Sequence, residues 1–200
     1  LNTFGDRNTF VGYVTGASNT TGACNTFVGY SSGNANTSGL KNTFIGNSTG
    51  LLNTTGYENV FIGNDAGRNN LTSYQNVFIG SCAGYYNVRG SLNTFLGHLS
   101  GVSNISGYSN VFIGYQAGCT NTTGYTNVFI GVNSGIGNTY GACNVMIGFQ
   151  TGIGNISGTN NTFIGMRSGY DNLTGSYNTF IGYCANSSAT SGFNSSIAIG

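Results

Sequence analysis

The segment "NVFIGNDAG" (residues 59–67) sets Phe61 directly beside Ile62 between flanking Asn and Gly residues, and close variants return at 76–84, 110–118 and 161–169. Neighbouring residues on a strand point to opposite faces. Each variant therefore offers an apolar group to both faces of one short strand, and the rest of the pattern is polar and glycine-rich. An Asn opens the repeating unit at residues 8, 25, 42, 59, 76, 93, 110, 127, 144, 161 and 178, a strict 17-residue step. Written by position, the unit is N-(T/V)-F-(I/V/L)-G-x-x-(A/S/T)-G-x-x-N-x-(T/S)-G-x-x. Position 1 is Asn and position 5 is Gly in all eleven units; position 3 is Phe in ten, with Met146 the exception, and position 12 is Asn in ten, lost at Ala189.

A β-branched and aromatic run punctuated by Gly at positions 5, 9 and 15 predicts a short strand followed by turns. A helix is disfavoured, because each Gly in a helix interior costs about 1 kcal/mol relative to Ala. Hairpins need antiparallel partners of alternating type, whereas these units are all alike. Identical units stack most simply in parallel, one coil on the last. The expected fold is therefore all-β: a parallel β-solenoid, or β-roll, of eleven 17-residue coils. At ~4.8 Å per coil the rod would be roughly 50 Å long. No linker, charge block or change of period divides residues 1–200, which form a single repeat array. The stretch "NTFGDR" (2–7) fits the end of a preceding unit, and "NSSIAIG" (194–200) resumes the pattern one residue out of register. The chain is thus expected to be a segment of a longer array.

Stacking turns each position into a column of its own copies. Like charges laddered ~4.8 Å apart repel, while Asn amides bond along the column and aromatic rings stack. That expectation suits a chain with 4% charged residues. It makes Asn59, Asn76 and Asn93, Phe61, Phe78 and Phe95, and Ile62 and Gly63 members of structural ladders. Strand alternation leaves two assignments open. Either positions 2 and 4 face into the coil and Phe faces out, or Phe faces in and the aliphatics face out. Under both, one apolar column stays outside a coil too thin to enclose the two, and a stripe that long calls for a covering partner. Lateral self-association as a trimer, another symmetric bundle or a filament is the expected closure.

Composition removes other classes. Gly is 35 of 200 residues without Pro or a three-residue period, which excludes a collagen helix. Thirteen Phe and thirteen Tyr on a regular schedule oppose disorder. A net charge of +1 gives no electrostatic footprint for nucleic acid or an anionic membrane, and no apolar run approaches the ~20 residues of a membrane helix.

Candidate chemistry is sparse. His98 is the only His, and the acids Asp6, Glu58, Asp65 and Asp171 fall in four different columns. That arrangement predicts no carboxylate pair, no triad and no calcium-binding Asp column. No catalytic activity, metal or cofactor is expected. Cys24 and Cys143 share position 17 but lie seven coils apart, roughly 33 Å at the strand spacing. Cys82 and Cys184 share position 7, six coils apart, and Cys119 stands alone at position 10. Disulfides within a column cannot close over such spans. The variable slots at positions 6, 7, 10, 11 and 16 hold Tyr13, Tyr30, Tyr57, Tyr85, Tyr86, Tyr108 and Tyr170. Amphipathic tyrosines there suit stacking on sugars or proteins, and they are the expected ligand-contacting surface.

The final Asn194-Ser195-Ser196-Ile197-Ala198-Ile199-Gly200 resembles the N-S-x-A-I-G repeat of YadA-like trimeric autotransporter adhesin heads. Units such as "NTFIGNSTGLLNTTGYE" (42–58) are similar to repeats of phage tail fibres and bacterial surface fibres. The resemblance implies a left-handed roll, three chains about one axis, and an extracellular fibre on a cell or virion surface that engages a host glycan or protein receptor. YadA-like heads have a shorter repeat, with Ala where this chain has Phe. An ice-binding solenoid is the alternative suggested by the Thr-rich columns at positions 2, 13 and 14.

Overall fold

The computed structural model describes residues 2–186 and 194–200; Ala189, the exception in the position-12 column, lies outside them. Twelve three-residue strands form one parallel sheet in strict sequence order, with no helix among the described residues. They begin with β1 (Thr9–Val11) and β2 (Thr26–Val28) and continue at the 17-residue step through β6 (Thr94–Leu96) to β11 (Thr179–Ile181); β12 (Ile197–Ile199) closes the sheet. Position pairs with the same position throughout, as in Phe10 with Phe27 and Phe78 with Phe95. At the last pair Thr179 meets Ile197, an offset of 18 residues, so the slipped "NSSIAIG" segment still supplies a rung. The architecture is the expected β-solenoid.

The strands are shorter than the five-residue N-(T/V)-F-(I/V/L)-G signature. Gly at position 5 ends β1 through β11 by turning to φ near +135°, as at Gly80 and Gly97. The hydrogen-bond ladder nevertheless continues around the coil. Gly101 donates to the Ala117 carbonyl at 2.9 Å, Ile105 to Thr122 at 2.9 Å, and Ser109 to Ser91 at 3.1 Å. Turns and strands alike thus bond to the coil above or below, which satisfies backbone groups that an isolated coil would leave open.

Of the two facing assignments, the structure selects Phe inward. Every position-3 side chain from Phe27 to Phe180, Met146 included, is fully buried, whereas Ile62 is half-buried and Leu96 is 43% exposed. Consecutive rings stack in parallel: Phe61 on Phe78 at 4.8 Å and 5°, Phe78 on Phe95 at 4.8 Å and 6°. Room for the ring comes from across the coil. A Cβ on Gly67, at φ +57°, would stand 2.5 Å from the Phe61 ring, and the neighbouring position-8 residue, Ala66, is small and buried. A Cβ on Gly63 would meet the Gly80 carbonyl of the next coil at 2.7 Å, so the coils close in on each other there as well.

Candidate functional site

The coil has a second, polar interior wall, and it holds both Asn columns. Asn59, Asn76 and Asn93 are fully buried. Asn76 Oδ1 accepts the backbone N–H of Asn93 in the next coil at 2.9 Å, while Asn76 Nδ2 donates to the Gly90 carbonyl at 2.9 Å. This side chain therefore braces the turn that delivers the chain to the next strand. Position 12 forms an amide-to-amide ladder: Asn104 Nδ2 donates to Asn87 Oδ1 at 2.6 Å, and Asn121 Nδ2 to Asn104 Oδ1 at 2.8 Å. The columns meet at the position-15 carbonyl. Gly107 O accepts from both Asn93 and Asn104, each at 2.9 Å. Every polar atom of these amides has a partner inside the solenoid, which suits a buried polar wall and leaves none of them facing a ligand.

The outer surface divides into an aliphatic strip and scattered aromatics. The strip consists of positions 2 and 4, which hold only Thr, Val, Ile and Leu from β1 through β11. Val11, Ile45, Leu96, Ile164 and Ile181 are among its exposed members. No charge or amide interrupts it.

The expected tyrosines do not converge on one patch. Tyr13 stacks on Tyr30 at 5.6 Å in the position-6 column. Tyr85 is half-buried and held by Arg68, whose Nη1 donates to its hydroxyl at 2.7 Å and whose Nε pairs with Asp65 at 3.3 Å; Tyr86 meets it edge-on. Tyr170 lies under the Arg167 guanidinium at 5.7 Å. Tyr57 and Tyr108 belong to a column whose other tyrosines, Tyr74 and Tyr125, were not among the expected contact residues. Tyr57 stacks on Tyr74 at 5.0 Å and Tyr108 on Tyr125 at 5.0 Å, both within 5° of parallel. All four are at position 16, so aligning the units by column was the signal that could have found them.

Two further features carried no residue-type signal. Positions 7 and 17 take left-handed backbone in each described coil, with non-glycine residues such as Leu99, Gln116 and Thr126 at φ 54–58°. Asn and Gly are the usual occupants of that region, and here they are almost wholly replaced. The position-13 threonines also turn inward to the backbone: Thr37 Oγ1 donates to the Thr54 carbonyl at 3.1 Å and Thr122 Oγ1 to Thr139 at 3.1 Å. Their hydroxyl protons are therefore committed within the solenoid.

The charged side chains form isolated surface pairs, Arg7 with Asp6, Lys41 with Glu58 and Arg68 with Asp65. Hydrogen bonds from Gln75 and Lys41 hold the Glu58 carboxyl below its ordinary pKa. Burial pushes the Cys119 thiol up, so it stays protonated at neutral pH. All five cysteines are free, and Cys24, Cys143 and Cys184 are exposed. Among the described residues no group of three His, Cys, Asp or Glu side chains is arranged to hold a metal ion. His98 stacks on Tyr115 at 5.8 Å in its surface column. A cavity of about 210 Å³ beside Arg167, Tyr170, Asp171, Cys184 and Asn186 lies at the boundary of the described residues. No helix of the described chain is long and apolar enough to cross a membrane. No family model matches this chain, no curated protein matches its sequence, and no solved structure matches its fold.

Proposed function

We propose that the chain is a non-catalytic segment of an extracellular structural or adhesive fibre, working through lateral association of solenoids along the aliphatic strip. The observation that carries this reading is the strip itself: an outward, uncharged column of Val, Ile and Leu repeated rung after rung and left partly exposed. Monomeric soluble proteins seldom leave so long an apolar surface open. A second copy has the same pitch, so aliphatic rungs on two solenoids stay in step along their whole length. Repeated small burials then add, at about 25 cal/mol per Å² of apolar area removed from water. A trimer about a common axis is the assembly favoured by the resemblance to adhesin heads and fibre repeats. In it the tyrosines at positions 6, 10, 11 and 16 would remain outside and contact a glycan or protein receptor on a host cell. An ice-binding role gains less support, because the position-13 hydroxyls donate to backbone carbonyls instead of forming a free array.

Sedimentation analysis tests the assembly. The chain at micromolar concentration is expected to sediment as an oligomer, most simply a trimer. A variant carrying Ile62→Ser, Ile79→Ser, Leu96→Ser and Ile113→Ser should shift to smaller species while its far-ultraviolet dichroism stays β-rich. A folded, soluble monomer of the unaltered chain would overturn the proposal.

A further inference from the structure

The position-16 column contains a gap one rung deep. Its central run is Tyr57, Tyr74, Ser91, Tyr108, Tyr125. Each tyrosine pair is stacked within 5° of parallel at 5.0 Å, so both walls beside Ser91 are held upright by a neighbour on the far side. The backbone passes through the gap without a break in register: Leu92 donates to the Tyr74 carbonyl at 3.1 Å and Ser109 to the Ser91 carbonyl at 3.1 Å. Tyr74 and Tyr108 are therefore two rungs apart, roughly 9.6 Å at the spacing of adjacent strands. A ring inserted midway would lie about 4.8 Å from each wall. That is the separation at which the interior phenylalanines already stack, 4.8 to 5.1 Å.

Ser91 forms a floor and little more. It is 8% exposed, and its Oγ accepts the Tyr74 backbone N–H at 3.2 Å. The rung between the Tyr74 and Tyr108 rings thus carries no ring of its own, and those two tyrosines are 36% and 47% exposed. Beside it Leu92, at position 17 of the same coil, is 48% exposed and gives the rim an apolar side.

We infer that the gap between Tyr74 and Tyr108 is a binding slot for a single phenolic ring, inserted with its apolar edge toward Ser91 and its hydroxyl level with those of the flanking tyrosines. The ligand would restore the ring that the column carries on either side. Preorganised walls reduce the ordering cost of binding, and two aromatic faces act on one ring at once. A pyranose has no π-face to offer either wall and would stack through its C–H groups alone. The phenol can come from a free small molecule or from a tyrosine side chain of a second copy.

Saturation-transfer NMR with p-cresol tests the slot. The full chain and the Ser91→Ala variant are expected to give a clear transfer signal. Ser91→Tyr should reduce that signal at least fivefold by filling the rung, and should raise the melting temperature by completing a five-tyrosine stack. Tyr108→Leu, which removes one wall without filling the gap, should also weaken the signal. Sedimentation of Ser91→Tyr separates the two sources. Weaker self-association than that of the unaltered chain means the slot takes a tyrosine of a second copy in addition to the strip contacts, and an unchanged profile means it takes a free phenol. No signal from the unaltered chain, equal signals from it and Ser91→Tyr, or a stronger slot-dependent signal from methyl β-glucopyranoside would each overturn the inference.

Discussion

Phe95 and Leu96 are consecutive residues of β6, yet the two columns they belong to follow different rules. Phe95 is fully buried and stacked on Phe78 and Phe112; from β1 through β11 its column admits one exception, Met146, a flexible apolar side chain of comparable length. The position-4 column that contains Leu96 interchanges Val, Ile and Leu, and farther round the coil position 6 accepts Tyr, Asn, Ser, His, Val, Phe and Met. The contrast teaches what uniformity is for. Inside, the partner of each side chain is its own copy one coil away, and neither water nor a neighbour can fill a mismatch. Outside, solvent or another surface completes the contact. The position-1 Asn column follows the first rule more strictly than Phe does, with Asn in all eleven units, since an amide needs a donor and an acceptor at fixed points.

The comparison breaks most visibly at a single strand. Phe95→Ala should lower the unfolding free energy by about 3–5 kcal/mol, the range for emptying an aromatic core site. Leu96→Ala, one residue along, should cost far less, and its effect should grow with protein concentration if the strip is an interface. Chemical denaturation of both variants at two concentrations checks this, and equal costs would contradict the inward assignment of Phe.

The polar wall sharpens it further. Asn104→Asp deletes two donated hydrogen bonds, to Asn87 and Gly107, and buries a carboxylate among carbonyls. The expected loss is about 2–3 kcal/mol at neutral pH. Burial raises the pKa of such a carboxyl in the folded state above its unfolded value, so the deficit should close as pH falls toward the ordinary carboxylate range. Melting temperatures of the variant and the unaltered chain between pH 4 and 8 would reveal the trend. A pH-independent gap would show that lost hydrogen bonds alone are responsible.

The smallest effect is expected at a turn on the outer side. Thr126 holds φ +56° with a β-branched side chain, a costly combination for an L-residue. Thr126→Gly should stabilise the chain by up to about 1 kcal/mol, since relief of the left-handed strain outweighs the added freedom of the unfolded chain. A clear loss of stability on denaturant titration would mean that the Thr126 side chain makes a contact worth more than the strain.

Much of this was legible in the repeat. The 17-residue step dictated parallel, in-register coils, because identical units that cannot bury their apolar faces alone stack on one another. The Asn columns at positions 1 and 12 were legible as buried amides, since a laddered amide is self-complementary and a laddered charge is not. The seven tyrosines were assigned to outer columns, but Tyr74 and Tyr125 of position 16 were left out, so the stacked pairs they make with Tyr57 and Tyr108 were not foreseen.

What the sequence by itself determined is therefore the repeat, its direction and its columns. Only the tertiary structure decided which face of the strand is the inside. Alternation along a strand is symmetric and offers Phe61 and Ile62 on equal terms. The tie is broken across the coil, where Gly67 and Ala66 leave space for a flat ring and not for two aliphatic columns. The same closure set the left-handed turns at positions 7 and 17. There the geometry needed to bring one coil over the next overrides the conformational preference of whichever residue occupies the corner.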